Sequence, residues 1–433
     1  MTNASQLVRD KVEARREATI AFLQDLNRLS REGEAAVQKR VADTLETLGC
    51  KVERLRYRPS DVPIRAEFAD AQAMALEERE SIIGRLVGTK PGRSVIFFAH
   101  PDGEPVKNLE RWQRDPFAGV IDAGRLHGWG VSDDLAGVAT FVQALEAVKA
   151  AGLRPRGDVI VASTPSKRHA RGVHAVLHHG YTADAAVYLH PAESGVGMRE
   201  IKAFASGQLV FRITVTGQLP DTKEPGHTAF AHRAVNPLDK AWIVYRALQE
   251  LGEKRAREVT HPALDAAVGR STNLLVSHLS CGDSARFSRI APDCVLGCTL
   301  SFPPPETLEA VRAQIEKAVR VASEQDPWLK QHPPRIEFLA GVTGAETPVA
   351  HPLYQVTSAA IIAVTGQPPY VNAMHTSSDI RVPIVQKGIP TVGLGPLGGD
   401  LSQNGSHDEW VDVEDYLRAV KVAAAIIVDW CGV

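Results

Sequence analysis

Two short segments place metal-binding side chains at the ends of secondary-structure elements. His100-Pro101-Asp102 closes an apolar strand pattern, and Gly128-Trp129-Gly130-Val131-Ser132-Asp133-Asp134 opens a helical one. A strand-end imidazole can ligate a metal while a carboxylate two residues on fixes its ring or shapes the neighbouring water site. Asp133 lies in a glycine-bounded turn, where a carboxylate can cap the helix, ligate, or do both. Thr164 and His190 each follow a further strand pattern, and His407 lies far downstream. The loop Thr164-Pro165-Ser166-Lys167 carries a serine and a lysine and no carboxylate.

These residues need elements that bring them together. Ile20, Phe22, Leu23, Leu26, Val37, Val41, Leu45 and Leu48 recur at helical spacing, broken near Ser30-Arg31-Glu32-Gly33, and predict two helices. Strand patterns at 51–57, 94–99, 158–163 and 185–189 alternate with a helical one at 136–151, which predicts a three-layer α/β domain with a mostly parallel sheet. Ligands of such sheets sit beyond the carboxyl ends of the strands, so His100, Thr164 and His190 are expected on one rim.

Near Gly207 the pattern changes. Strands at 208–216, 273–279 and 294–301 and helices at 236–251 and 308–323 predict a small α+β insertion with a sheet edge open to a second subunit. The patterns at 351–365, 391–394 and 414–430 return to the α/β domain. The expected division is 1–206 and 326–433 for the catalytic domain, with 207–325 inserted.

A formal net charge of −2, from 49 basic and 51 acidic residues, favours neither nucleic acid nor anionic lipid and points to a small-molecule partner. Five cysteines without CxxC spacing argue against a disulfide framework or a zinc knuckle. With no apolar leader and no apolar run of membrane length, a cytoplasmic location is expected.

The two metal-type segments, with Gly388-Ile-Pro-Thr-Val-Gly-Leu-Gly395 and Ser406-His407-Asp408-Glu409-Trp410, resemble the co-catalytic zinc superfamily of aminoacylase, carboxypeptidase G and succinyl-diaminopimelate desuccinylase. The resemblance implies a zinc-peptidase-like catalytic domain and an inserted dimerisation or lid domain. It places His100 and Asp133 on metal ligands, Asp102 beside the first of them, and His407 on the second metal. Ser166 falls where the superfamily has its general-base glutamate, Lys167 where it has a second-metal ligand, and His190 where it has a further acidic ligand.

Imidazole at 190 keeps a transition-metal donor, whereas a protonated lysine repels a cation. One divalent ion per subunit, manganese or zinc, is therefore expected on His100, Asp133 and His190. Lys167 would stand in for the second charge, and His407 would be released for acid/base duty. His169 and Glu193 are further candidates for the missing base. The resemblance also puts His227 at a substrate oxygen, with Arg286, Arg289, His375 and Ser377 as carboxylate-binding candidates. The pattern of losses resembles the superfamily's divergent aminohydrolase branch acting on 5-nitroanthranilate, in which water activated at a metal displaces an aromatic amine. The expected substrate is then a small anionic aromatic and the assembly a homodimer or higher homo-oligomer. A deacylase or dipeptidase acting on N-acyl amino acids, and a non-catalytic small-acid binder, are the alternatives.

Overall fold

The computed structural model describes residues 3–69, 77–103, 105–106, 109–373, 379–398 and 407–433. The chain forms two compact units, one from residues 1–65, 72–204 and 346–433 and the other from 66–71 and 205–345.

The first unit begins with α1 (Asn3–Ala14), α2 (Arg16–Leu29) and α3 (Glu34–Thr47). Two helices were expected over this stretch. The extra break falls at Arg15, whose ψ of 16° leaves helical geometry, and a 3-10 turn at Ser30–Glu32, closed by Gly33 at φ +102°, separates the second helix from the third. The central sheet contains β1 (Lys51–Tyr57), β2 (Arg79–Leu86), β3 (Val95–Ala99), β4 (Val159–Ser163), β5 (Ala185–Leu189) and β10 (Thr391–Leu394), in the order β1-β2-β4-β3-β5-β10. The pairs β4/β3, β3/β5 and β5/β10 are parallel, while β1/β2 and β2/β4 are antiparallel.

Every residue of β3, β4, β5 and β10 is buried, which is why their sequences run apolar without alternation. Strand β2 has no such run: Arg79 and Ser81 are buried beside Ile82 and Ile83, and its polar start hid it from a hydropathy reading. Helix α4 (Ala136–Ala150) packs against α1 and the C-terminal α10 (Val413–Cys431) on one face. On the other, α5 (Gly172–His178) packs against α9 (Arg381–Lys387). Among the described residues no helix is long and apolar enough to cross a membrane.

In the second unit β6 (Gly207–Thr216), β7 (Asn273–Cys281), β8 (Asp293–Phe302) and β9 (Arg335–Val342) form an antiparallel sheet ordered β7-β8-β6-β9, extended by Glu67–Phe68. Helices α6 (Pro237–Glu258) and α7 (Leu308–Glu324) bury Val244, Leu248, Val311 and Ile315 against its alternating inner face. The expected return to the catalytic domain at 326 is corrected to 346, because β9 pairs along the second edge of β6 and so belongs to the insertion. Helix α8 (Pro352–Thr365) then resumes the first unit.

Candidate metal centre

Parallel strands β4, β3 and β5 end together, so Thr164, His100 and His190 leave the sheet on one rim. The turn before α4 carries Asp133 to the same place. Gly130, at φ +67°, begins that turn, and Gly137 lets the chain close over Asp134, since a Cβ there would meet Asp134 Oδ1 at 2.3 Å. Asp133 Oδ1 lies 2.9 Å from His100 Nε2 and 3.5 Å from His190 Nε2. One ligand atom from each of the three residues falls within 4.8 Å of the others.

Asp102 anchors this arrangement. Its backbone carbonyl is 2.7 Å from His100 Nδ1, which orients Nε2 toward Asp133. Its carboxylate accepts the backbone N–H of Ser166 at 2.9 Å and of Lys167 at 3.0 Å. Burial alone would raise the Asp102 pKa, yet His100, the Ser166 amide and Arg79 hold it below the usual carboxylate range. Arg79 is shared: its Nη2 is 3.2 Å from Asp102 and 2.6 Å from Glu34.

Burial also works against charge on Asp133, but His100, then Lys167 and His190, keep its carboxyl well below the ordinary value. The Lys167 ammonium contacts Asp133 Oδ2 directly. Burial lowers the Lys167 pKa and Asp133 more than restores it, so the side chain stays cationic. His190 goes the other way, pushed down to about 4 by burial and by Lys202. It is therefore neutral near pH 7, as a metal-ligating imidazole must be. Its Nδ1 lies 3.3 Å from Glu193 and 3.1 Å from the Lys202 ammonium.

Three residues that complete the site were not among the expected site residues, although Glu409 stands in the His407 segment that carries the resemblance. Glu409 accepts the backbone N–H groups of Gly130, Ser132 and Asp133 at 3.0, 2.8 and 3.1 Å, and so holds the turn that presents Asp133. Lys202 is fully buried among Glu200, Glu193 and the Pro191 carbonyl. Asp379 accepts the Ser166 hydroxyl at 2.6 Å.

The other expected site residues are placed less centrally. His407 is outside the convergent group found among the described residues. His375 and Ser377 lie outside the described residues. His169 is exposed, and Glu193 stands behind the His190 ring. In the second unit His227 and Arg289 are bridge partners, and His227 Nδ1 accepts the Ala229 N–H at 3.0 Å. Arg286 is 3.8 Å from Asp283 at an exposed position.

The donor set suits a divalent transition metal. Asp133 Oδ1 is buried without a hydrogen bond in bonding geometry, and two imidazole nitrogens face it. His100, Asp133 and His190 are the residues that would hold the ion.

A model of peptidase family M20/M25/M40 matches residues 96–429. N-formyl-4-amino-5-aminomethyl-2-methylpyrimidine deformylase of Halalkalibacterium halodurans is 23% identical over 412 residues, covering 92% of this chain and 89% of that protein. Succinyl-diaminopimelate desuccinylase of Gluconobacter oxydans is 26% identical over 411 residues, covering 92% and 94%. In structure the chain is similar to the aminopeptidase PepT of Bacillus cereus, with a TM-score of 0.67, 17% identity and coverage of 95% and 98%. It is also similar to a dinuclear metal-binding peptidase of Bacillus subtilis, with a TM-score of 0.62, 16% identity and coverage of 96% and 99%. Matched along most of its length and with its donor side chains gathered on one rim, the chain belongs to peptidase family M20/M25/M40 and is a metal-dependent hydrolase acting on C–N bonds.

Proposed function

We propose that the chain hydrolyses the amide bond of a small N-acyl or N-formyl amine at the His100, Asp133 and His190 cluster. The observation that carries this reading is the convergence of the three donors around Asp133 Oδ1. Relatives that are a deformylase and desuccinylases support an acyl–nitrogen bond as the target. A divalent ion held there supplies Lewis acidity toward the acyl oxygen and toward water. Asp102 and Glu409 position the side chains around it, and the Lys167 ammonium supplies a fixed positive charge beside Asp133, where it disfavours a second ion. One ion per chain is the expected content.

A second reading, displacement of an aromatic amine from an aminobenzoate, is favoured by one observation: positions 166 and 167 carry a serine and a lysine. An electrophile more activated than an amide depends less on a strong base. A third element of the proposal is self-association. The edge strand β7 exposes Leu275 and Leu279, and the loop after it exposes Phe287 at 92%, a surface suited to a second copy of the chain.

Product analysis tests the function. Metal-supplemented protein is offered N-formyl aminomethylpyrimidine, N-succinyl amino acids and aminobenzoates, and released acid, amine and ammonia are measured. Amide cleavage is expected. Ammonia from an aminobenzoate with every amide intact would overturn the first reading in favour of the second. Sedimentation of a Leu275→Lys, Leu279→Lys variant tests the assembly, with a shift from dimer to monomer expected.

A further inference from the structure

The fold places a carboxylate, that of Asp379, beside Ser166. Ser166 Oγ donates to Asp379 Oδ2 at 2.6 Å, and Tyr188 Oη approaches the same oxygen at 3.4 Å. Both neighbours are tied to the cluster. Ser166 and Lys167 are pinned through their amides to Asp102, and Lys167 contacts Asp133. The Tyr188 ring stacks on His190 with centroids 5.7 Å apart. Asp379 comes from the segment just before α9, far from Ser166 in sequence, and half-buried rather than solvent-facing.

We propose that Ser166 and Asp379 together form the proton relay of the hydrolysis, with Ser166 touching water and Asp379 acting through it as the proton store. The proposal rests on hydrolysis at the cluster and deepens that reading. With its own hydrogen directed at Asp379, the Ser166 hydroxyl presents its lone pairs outward, where they accept a proton from water.

The step balances. Water gives a proton to Ser166 Oγ as its oxygen bonds to the acyl carbon, and Ser166 passes its original proton to Asp379 Oδ2. When the C–N bond breaks, that proton returns through Ser166 to the departing nitrogen. No net charge or proton is consumed, and the nitrogen leaves as the neutral amine rather than as an anion. Tyr188 donates its hydroxyl hydrogen toward Asp379 Oδ2 and so orients that carboxylate.

Four proteins test this: wild type, Asp379→Asn, Ser166→Ala and the double variant. Each is assayed on an N-acyl amine and on p-nitrophenyl acetate, whose leaving group needs no proton. General acid–base assistance is worth about 10²–10⁴-fold, so kcat on the amide should fall by that order in either single variant. The double variant should be no worse than the singles, because one relay is broken once, and KM and bound metal should match wild type. The ester should lose less than the amide. Adding Ser166→Glu to Asp379→Asn should restore part of the lost amide rate by putting a carboxylate directly at the water.

An Asp379→Asn variant within about threefold of wild type on both substrates overturns the relay while leaving amide hydrolysis standing. Losses that multiply in the double variant, or that follow metal loss, overturn it as well by marking a structural role. Ester turnover that depends on Asp379 without any amide turnover keeps the relay and sinks the amide reading. Turnover of neither substrate counts against both.

Discussion

Lys167 and Asp133 form a direct ion pair through Nζ and Oδ2, while Oδ1 of the same carboxylate faces His100 Nε2 at 2.9 Å. One oxygen is thus committed to a fixed side-chain cation and the other to the imidazole side. A carboxylate that could bridge two ions has one of its two positions filled by the protein itself.

Metal content reads this directly. Wild-type protein dialysed against excess zinc or manganese should hold about one ion per chain by elemental analysis. Lys167→Glu reverses the charge at the second position and should raise the content toward two, whereas His190→Ala should lower metal affinity by at least about tenfold. Two tightly held ions in wild type would contradict the pairing.

Glu409 should matter to the site although it lies behind it. Its carboxylate satisfies the amides of Gly130, Ser132 and Asp133, and burial pushes its pKa up to about 7, with these amides opposing. Glu409→Ala leaves those donors without their acceptor, at about 1–3 kcal/mol for each one kept dry. Metal affinity should drop about 10–100-fold as Asp133 loses its fixed orientation, measurable by competition with a chelating dye.

Lys202 predicts a stability effect of a different kind. Its buried ammonium lies 3.5 Å from Glu200 and 3.7 Å from Glu193. Removing one partner of a buried ion pair typically costs about 3–5 kcal/mol, because the remaining charge has no compensation. Lys202→Met should therefore lower the denaturant midpoint of the first unit substantially. A midpoint within experimental error of wild type would show that water replaces the ammonium.

Glu34 gives a pH dependence. Burial pushes its pKa from 4.5 up to about 7; Arg79 opposes the rise and Asp102 reinforces it, since one guanidinium serves two carboxylates. A pKa raised on folding means the protonated form is favoured in the native state. Its contribution is complete below pH 4.5 and is lost as pH rises through 7. Glu34→Gln should flatten the stability profile across that window by on the order of 2 kcal/mol, checked by urea melts at several pH values.

The elements that read correctly from sequence did so because local chemistry determined them. Continuous apolar runs can only be strands covered on both faces, so β3, β4, β5 and β10 were legible, and with them the rim that carries His100 and His190. The glycine-bounded turn placed Asp133 at a helix start for the same local reason. Strands β2 and β9 were not legible. The first buries Arg79 and Ser81, and the second has mostly half-buried residues, so neither shows the hydropathy that marks a strand.

Long-range pairing decided the rest. Nothing in Ser166 or Asp379 taken singly predicts a 2.6 Å hydrogen bond across 213 residues of chain, nor that Lys202 would stand behind His190. The motifs, and the family resemblance they carry, thus indicated a hydrolase framework in which positions 166 and 167 hold a serine and a lysine. Only the packed structure, by desolvating charges and forcing each to find a partner, showed Lys167 committed to Asp133 and Asp379 set beside Ser166.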